Sequence, residues 1–358
     1  MALASFDFAI AIGGEAGQGI ATPGDILARI FVRRGLHLNT YNAYQSIIRG
    51  GHIFLYVRVC DQEIHTHGDK LDLLVCLNQD TMDRHLQLMG PGSTVLYNGD
   101  NITPGEAADG VQMCPLPVAE LSNTRNRLSQ NTMAVGSAAY LLGLDFEVLE
   151  ESLTLRFQRQ GQAVIDENVG VARAGYDHAV ANFKAFAQTV PTGPKPLAVW
   201  SGNDALAMGG AAAGVKFYAA YPMSPATGVL HWMAQNARNL GIMVRQVEDE
   251  IGVANMVIGA AHTGCRSMCA TSGGGFALMT EAVGAAAMME IPSVFIDVQR
   301  AGPSTGVPTK TEQGDLWQSL GASQGDFERF IVAPLNSLDC FNVMPELFNL
   351  TDKYQCPG

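Results

Sequence analysis

No CxxC pair, no uninterrupted apolar run of roughly 18 residues and no run of Lys or Arg beyond Arg33-Arg34 occurs in the 358 residues, of which only 16% are charged. Each absence removes a class of function. The seven cysteines (Cys60, Cys76, Cys114, Cys265, Cys269, Cys340 and Cys356) are an odd number at scattered positions, and Cys265 with Cys269 is a lone C-x3-C. That spacing writes neither a zinc site nor an iron–sulfur cluster. It fits buried thiols acting as small hydrophobes in a reducing cytoplasm. A net charge of −12 with no basic stripe excludes nucleic acid as a partner. The missing apolar run excludes a helical membrane span. The opening MALASFDFAIAIGG has no positive n-region and is interrupted by Asp7, against a secretory signal. No short-period repeat and no low-complexity segment are present.

What is present is hydrophobic, 47% of the chain, and long enough for two domains. So low a charge density also implies large contacts with other chains. The proline-rich VPTGPKP, Val190 to Pro196, marks a linker, which divides the chain into 1–189, a linker at 190–197, and 198–358. Before it, β-rich runs at 8–12, 53–59, 71–77 and 93–97 alternate with helical stretches; after it, runs at 243–247, 267–271, 293–298 and 330–334 do the same. Strands separated by helices predict two α/β domains in series, each a parallel sheet built from βαβ units. Ligands in such folds sit at the carboxyl ends of strands.

The first such end is IGGEAGQGIATPGD, where Gly13, Gly14, Gly17 and Gly19 turn a strand into a helix. Glycines at a helix start let backbone approach a phosphate or carboxylate. Gly14, Gly17 and Gly19 read G-x-x-G-x-G, the reverse of the dinucleotide fingerprint, and HLNTY (37–41) lacks the ribose-binding acid. Ile20 and Ala21 stand where a P-loop needs Lys and Ser/Thr. A structural turn, an anion or partner contact and a nicotinamide site all stay open for this loop. Arg49, in IIRGGH (47–52), suits a bidentate carboxylate or phosphate contact or an inter-subunit ion pair. His65 and His67 form an H-x-H without further ligands nearby, better read as an exposed loop than as a metal site.

In the second half, QVEDEIGVANMVIGAAHTG (246–264) sets Glu248, Asp249 and Glu250 at the mouth of a segment made for burial. Three further loops fall at strand ends: YPMSPATG (221–228), ATSGGGF (270–276) and QRAGPSTG (299–306). Singly, each is ordinary turn or cap chemistry. Together, in this order, they resemble the α subunit of 2-oxoacid:ferredoxin oxidoreductases of the 2-oxoglutarate (KorA) type. In that family a γ-like domain, here GGEAGQGI…RGGH, is fused in front of a pyrimidine-binding, transketolase-like domain. The second domain here would carry YPMSPATG…EDEIGVANMVIGAA…ATSGGGFALMTE…VQRAGPSTGVPTKTEQGDL.

The resemblance implies thiamine diphosphate chemistry. A 2-oxoacid loses carbon dioxide, electrons pass to an iron–sulfur cluster and on to ferredoxin, and coenzyme A takes the acyl group. A partner β subunit would hold the Mg²⁺-diphosphate site and the [4Fe-4S] cluster; the GDG motif for the former is absent here, so the metal set assigned to this chain is none. Catalysis needs a carboxyl against the pyrimidine N1′, and an apolar, partly desolvated pocket is what keeps such a carboxyl protonated near neutrality. Glu250 is the candidate, nine residues before Gly259-Ala260 as in the family helix; Asp249 would cap the helix and Glu248 face a neighbour. Ser224 takes the place of a family threonine whose hydroxyl contacts the substrate carboxylate. Pro222, also a candidate cofactor contact, and Pro225 would stiffen its loop. Arg300 would bind the 2-oxoacid carboxylate, or pair with an acid at a subunit boundary. Thr271 and Ser272 read as cofactor contacts or as caps, and Ser304 and Thr305 supply hydroxyls in the Arg300 loop. The run MMEIP (288–292) reads as core or interface filling.

The fused γ-like domain favours 2-oxoglutarate over pyruvate or another 2-oxoacid, and succinyl-CoA as product, in either direction of the reaction. Expected partners are the β subunit, ferredoxin, the 2-oxoacid, coenzyme A and a second αβ pair. Two other readings remain: a partner-organising subunit without thiamine chemistry, and a nucleotide-binding oxidoreductase using the Gly13–Gly19 loop. The family's α subunit would continue beyond TDKYQCPG into another strand and domain.

Overall fold

The computed structural model describes residues 6–45, 49–122 and 127–358 and divides into two compact units, Met1–Val199 and Trp200–Gly358. Residues 1–5 of the N-terminal stretch and 47–48 of IIRGGH lie outside the described residues. Among the described residues no helix is long and apolar enough to cross a membrane.

The first unit runs β1 (Asp7–Ala16), α1 (Ala21–Arg33), β2 (His37–Ala43), β3 (Gly50–Cys60), β4 (Leu71–Cys76), α2 (Gln79–His85), β5 (Met89–Asn98), β6 (Gln112–Leu116), α3 (Val118–Leu121), α4 (Arg127–Leu141), α5 (Phe146–Phe157) and α6 (Gln162–Asn182). Its sheet has the order β2-β3-β1-β4-β5-β6. β1 is buried along most of its length, as a central strand covered on both faces must be. The sheet is mixed where the alternation of strands and helices predicted a parallel one. β3 runs antiparallel to both β1 and β2. Six residues separate Ala43 from Gly50, too few for the dozen or more that a parallel crossover needs, so the chain turns straight back. The VPTGPKP stretch is not free either: Gly193 N–H donates to Arg34 O at 2.6 Å, Leu197 N–H to Val32 O at 2.7 Å, and Arg34 Nη1 to Val190 O at 3.0 Å.

α4 and α6 approach so closely that a Cβ on Gly175 would stand 2.2 Å from Met133 O, and one on Gly136 would stand 2.0 Å from Ala172 O. Ser137 Oγ seals the crossing by donating to Gly175 O at 2.7 Å. Backbone cannot yield as a flexible side chain does. Gly175→Ala is therefore expected to destabilise the protein by about 1–3 kcal/mol despite alanine's better helix propensity, a change read as a lower urea midpoint.

The second unit runs α7 (Gly202–Ala212), β7 (Phe217–Ala220), α8 (Thr227–Leu240), β8 (Met243–Gln246), α9 (Glu250–His262), β9 (Ser267–Thr271), α10 (Gly273–Met288), β10 (Val294–Asp297), α11 (Leu316–Leu320) and α12 (Ser337–Tyr354). Its four strands, ordered β10-β9-β7-β8, are all parallel. Alternate strand residues serve opposite layers. Tyr218, Met268, Ala270, Val294 and Ile296 pack with Val229, Met233, Met344 and Phe348 of α8 and α12. Ala219 and Cys269 pack with Val253, Val257, Phe276 and Met279 of α9 and α10. Burial pushes the Cys114 thiol up to about 12 and raises Cys76 and Cys269 as well, so these thiols act as apolar filling.

One expectation fails here. The 330–334 run forms no strand: Phe330 N–H donates to Pro357 O at 3.0 Å, while Gly358 occupies the edge of β10 through Ser293 O and Phe295 N–H. A β-rich pattern without a backbone ladder stays irregular. The MMEIP run, read as core or interface filling, divides: Ile291 is buried in the core, whereas Met288, the last residue of α10, is 83% and Met289 52% exposed.

Candidate functional site

Asp249 and Glu250 divide the labour at the start of α9. Asp249 is the N-cap, its Oδ1 accepting Gly252 N–H at 2.6 Å. Glu250, one residue on, heads the stripe Glu250, Val253, Ala254, Val257, Ile258 and Ala261, which is buried. Positions 0, 3, 4, 7, 8 and 11 of a helix share one face, so Glu250 turns inward with the apolar side chains. It is 5% exposed, whereas Glu248 and Asp249 are on the surface. One acid of the three is thus buried.

The floor beneath Glu250 is glycine. A Cβ on Gly275 would stand 2.9 Å from Cγ and Oε1 of Glu250 and 2.1 Å from Thr271 Oγ1. Glu250 and Thr271 therefore meet over Gly275. Thr271 ends β9, is 1% exposed, and its Oγ1 lies 3.7 Å from Met223 Sδ in the loop after β7. Three strand-end loops converge in this way.

That loop is braced. Thr227 N–H and Oγ1 each donate to Met223 O at 3.1 Å, Asn203 Nδ2 donates to Pro225 O at 2.8 Å, and the Ser224–Pro225 peptide is cis. Pro222 is exposed and Ser224 half-buried. Arg300 joins the same group from the loop after β10: its Nη1 donates to Ser224 O at 2.6 Å, and its Nε is buried without a hydrogen-bond partner. Ser272 is the N-cap residue of α10 but makes no cap bond; its Oγ is fully buried with no partner. Ser304 and Thr305 are exposed, with the Ser304 carbonyl 3.5 Å from a Cβ placed on Gly274. The predicted residues Glu250, Thr271, Ser224 and Arg300 come together, and Ser304 and Thr305 lie at the rim of their loop.

Sequence reasoning missed Met223, Gly275, Asp297 and Asp315. Asp297 ends β10 opposite Thr271 in the parallel register. Its carboxyl is pushed up to about 7, first by burial and then by the charge and hydrogen bonding of Asp315.

The glycine loop of the first unit is a separate place. A cavity of about 350 Å³ opens at the carboxyl ends of β1, β4, β5 and β6, lined by Gly17, Gln18, Arg49, Asn98, Asn101 and Asn131 among others. Gly17 and Arg49 thus share a cavity. Gly17 and Gly19 take positive φ of 91° and 77°, which favours glycine, and Gly14 leaves room for the Gln18 side chain that accepts Glu15 N–H at 2.8 Å. His65 is exposed, and His67 packs its ring 5.1 Å from that of Tyr41.

Comparison with known proteins follows this division. A family described as pyruvate ferredoxin/flavodoxin oxidoreductase matches residues 9–178, and one described as pyruvate flavodoxin/ferredoxin oxidoreductase, thiamine diphosphate-binding, matches residues 208–358. The 2-oxoglutarate oxidoreductase subunit KorA of Mycobacterium tuberculosis is 30% identical over 97% of this chain and 59% of its own length. The 2-oxoglutarate synthase subunit KorA of Methanothermobacter marburgensis is 46% identical over 44% of this chain and 42% of its own. A solved 2-oxoglutarate:ferredoxin oxidoreductase from Magnetococcus marinus, with 2-oxoglutarate, coenzyme A and succinyl-CoA bound, superposes with a TM-score of 0.90 at 34% identity, covering 98% of this chain and 62% of that one. The chain spans about six tenths of the length of the relatives that it matches end to end.

Proposed function

We propose, for a chain that belongs to the 2-oxoacid:ferredoxin oxidoreductase family, that it provides the pyrimidine side of a thiamine diphosphate site and binds the 2-oxoacid there. With a β subunit it would convert 2-oxoglutarate and coenzyme A to succinyl-CoA and carbon dioxide while reducing ferredoxin, or run the reverse. The observation that carries this reading is the carboxyl of Glu250, 5% exposed at the head of an apolar helix face and resting on Gly275 and Thr271. A buried acid over a glycine floor, beside orphaned polar atoms of Ser272 and Arg300, fits a flat aminopyrimidine.

Bound thiamine diphosphate supplies the electron sink for breaking the bond between the carbonyl and carboxyl carbons of the 2-oxoacid. Glu250 would hold a proton at the pyrimidine N1′. Thr271 and Ser272 would offer hydroxyls to the ring edge, and Pro222 would form the outer wall of the Ser224 loop. Arg300 would hold the substrate carboxylate while its Nη1 stays on the Ser224 carbonyl, with the Ser224 hydroxyl as second donor. The Mg²⁺, the [4Fe-4S] cluster, the ferredoxin contact and pairing with a second αβ unit belong to the same proposal, as does a cytoplasmic location; the names of the relatives support 2-oxoglutarate as substrate. Gly14, Gly17, Gly19 and Arg49 would serve an anion or a neighbouring chain at the first unit's cavity.

Anaerobic purification of the chain with its co-purifying partner, followed by viologen reduction, tests the whole reading. Reduction that requires both coenzyme A and 2-oxoglutarate, with other 2-oxoacids slower, is expected; a thiamine-loaded complex inert with every 2-oxoacid would overturn it. In an active complex, Arg300→Ala is expected to raise KM for the 2-oxoacid roughly 10- to 150-fold, the equivalent of one lost charge-assisted hydrogen bond of about 1.5–3 kcal/mol, with a smaller change in kcat. Arg300→Lys restores the charge but not the fork geometry, so rescue should be partial.

A further inference from the structure

The loop that carries Arg300 leaves the sheet at Asp297, the last residue of β10, and ends at Asp315, the residue before α11. Both acids turn inward at this stem. Both carboxyl oxygens of Asp297 and Oδ2 of Asp315 are buried with no donor from any described residue. Asp315 also leans on the start of α10: a Cβ on Gly273 would stand 2.5 Å from each of its carboxyl oxygens. Its N–H donates to Gln299 Oε1 at 3.0 Å, and Gln318 Nε2 donates to Gly273 O at 2.8 Å. The stem is thereby stitched to the glycine segment whose next turn supports Glu250.

Two bare carboxylates this close, away from water, cannot both stay ionised. Asp297, buried beside Asp315, is the place for the proton, because burial and the neighbouring Asp315 charge raise its carboxyl.

We propose that Asp297 and Asp315 are positioning residues: one proton held between them clasps the base of the 298–314 loop to the first turn of α10 and so sets Arg300 for the substrate carboxylate. This rests on the reading of Arg300 given above. Among the described residues two arginines approach the clasp, and Gly358, the last residue of the chain, lines the same cavity as Asp297. Arg300, on the loop itself, is held by Ser224 O; Arg329, which lines the same cavity of about 150 Å³ as Asp297, donates to Ser319 O and Ala322 O. Neither pairs with the acids. The remaining elements bring uncharged groups to that cavity: Phe276 and Val283 from α10, Leu316 and Ser319 from α11, Leu347 from α12 and Phe295 from β10.

The Asp297 carboxyl, ordinarily near 3.8, is raised to about 7. Below pH 7 the proton is present and the clasp is closed. As pH rises through 7 it leaves, two carboxylates face each other, and each further unit leaves roughly a tenth of the clasped form. The grip of Arg300 should weaken accordingly.

Two measurements decide the matter. In the complex, KM for the 2-oxoacid is expected to rise roughly fivefold to tenfold between pH 7 and 8, and Asp297→Asn, whose amide donates permanently to Asp315, is expected to flatten that rise with kcat retained. Asp315→Asn removes the second carboxylate and should flatten it from the other side. In the chain alone, hydrogen exchange of the 298–315 segment, corrected for its intrinsic pH dependence, should accelerate above pH 7 in the wild type and not in Asp297→Asn. An inert complex would count against the proposed function, while exchange still decides the clasp. Exchange that accelerates equally in wild type and Asp297→Asn, or a KM profile unchanged by both substitutions, would overturn it.

Discussion

Glutamine in place of Glu250 is expected to lower turnover of the assembled complex by roughly 10²–10⁴-fold with little loss of stability. Glutamine matches the shape of the buried side chain and stays polar, so the head of α9 keeps its packing against Gly275 and Thr271. What it lacks is a carboxyl able to give and take a proton at the pyrimidine. Alanine should lose as much turnover and some stability too, because it leaves a gap over a floor that has no side chain of its own. The contrast separates chemistry from packing. Equal kcat in wild type and both variants, measured with saturating 2-oxoacid and coenzyme A, would remove Glu250 from the reaction.

Gly275→Ala should be nearly as damaging by a different route. The added methyl would fall 2.1 Å from Thr271 Oγ1 and 2.9 Å from Glu250 Cγ and Oε1. Thr271 is 1% exposed at the end of a central strand and its neighbour cannot move away freely. Alanine favours the helix by about 1 kcal/mol, but overpacking costs about 1–3 kcal/mol, so the net loss of stability should be small to moderate. The displacement of Glu250 is what matters, since a shift of about 1 Å at a reacting group can cost about 10²-fold. A much lower kcat with a modest drop in Tm is the expected pattern. A drop in Tm alone would mean that Glu250 tolerates displacement.

The choice of Glu250 rested on its standing nine residues before Gly259-Ala260, as in the family helix. The inward turn of that one acid agrees with Asp249 as the N-cap and with the buried stripe that follows at helical spacing. The loops carrying Ser224, Thr271 and Arg300 were legible from their prolines and glycines, although β7, the strand before Ser224, was not among the predicted runs. Strand direction was not legible. The β3 run has the composition of any strand, and its antiparallel course follows from the short connection to β2, a matter of chain length and not of pattern. The 330–334 run shows the converse, a β-like pattern with no ladder to join. Asp297 and Asp315 escaped because they stand 18 positions apart in an irregular loop, where no periodicity announces a contact. The bond of Arg300 to a backbone carbonyl was invisible for a related reason: side-chain pattern says nothing about which carbonyl a neighbouring loop presents.

The measurement that bears most directly on the proposed chemistry is the rate at which the C2 proton of bound thiamine diphosphate exchanges with deuterium, compared between wild type and Glu250→Gln in the co-purified complex. This step needs no ferredoxin, coenzyme A or 2-oxoacid. A carboxyl that holds a proton at the pyrimidine N1′ should speed the exchange, so the glutamine variant, equally loaded with cofactor, is expected to be slower by roughly 10²–10⁴-fold. Equal exchange rates in the two loaded proteins would contradict the role given to Glu250.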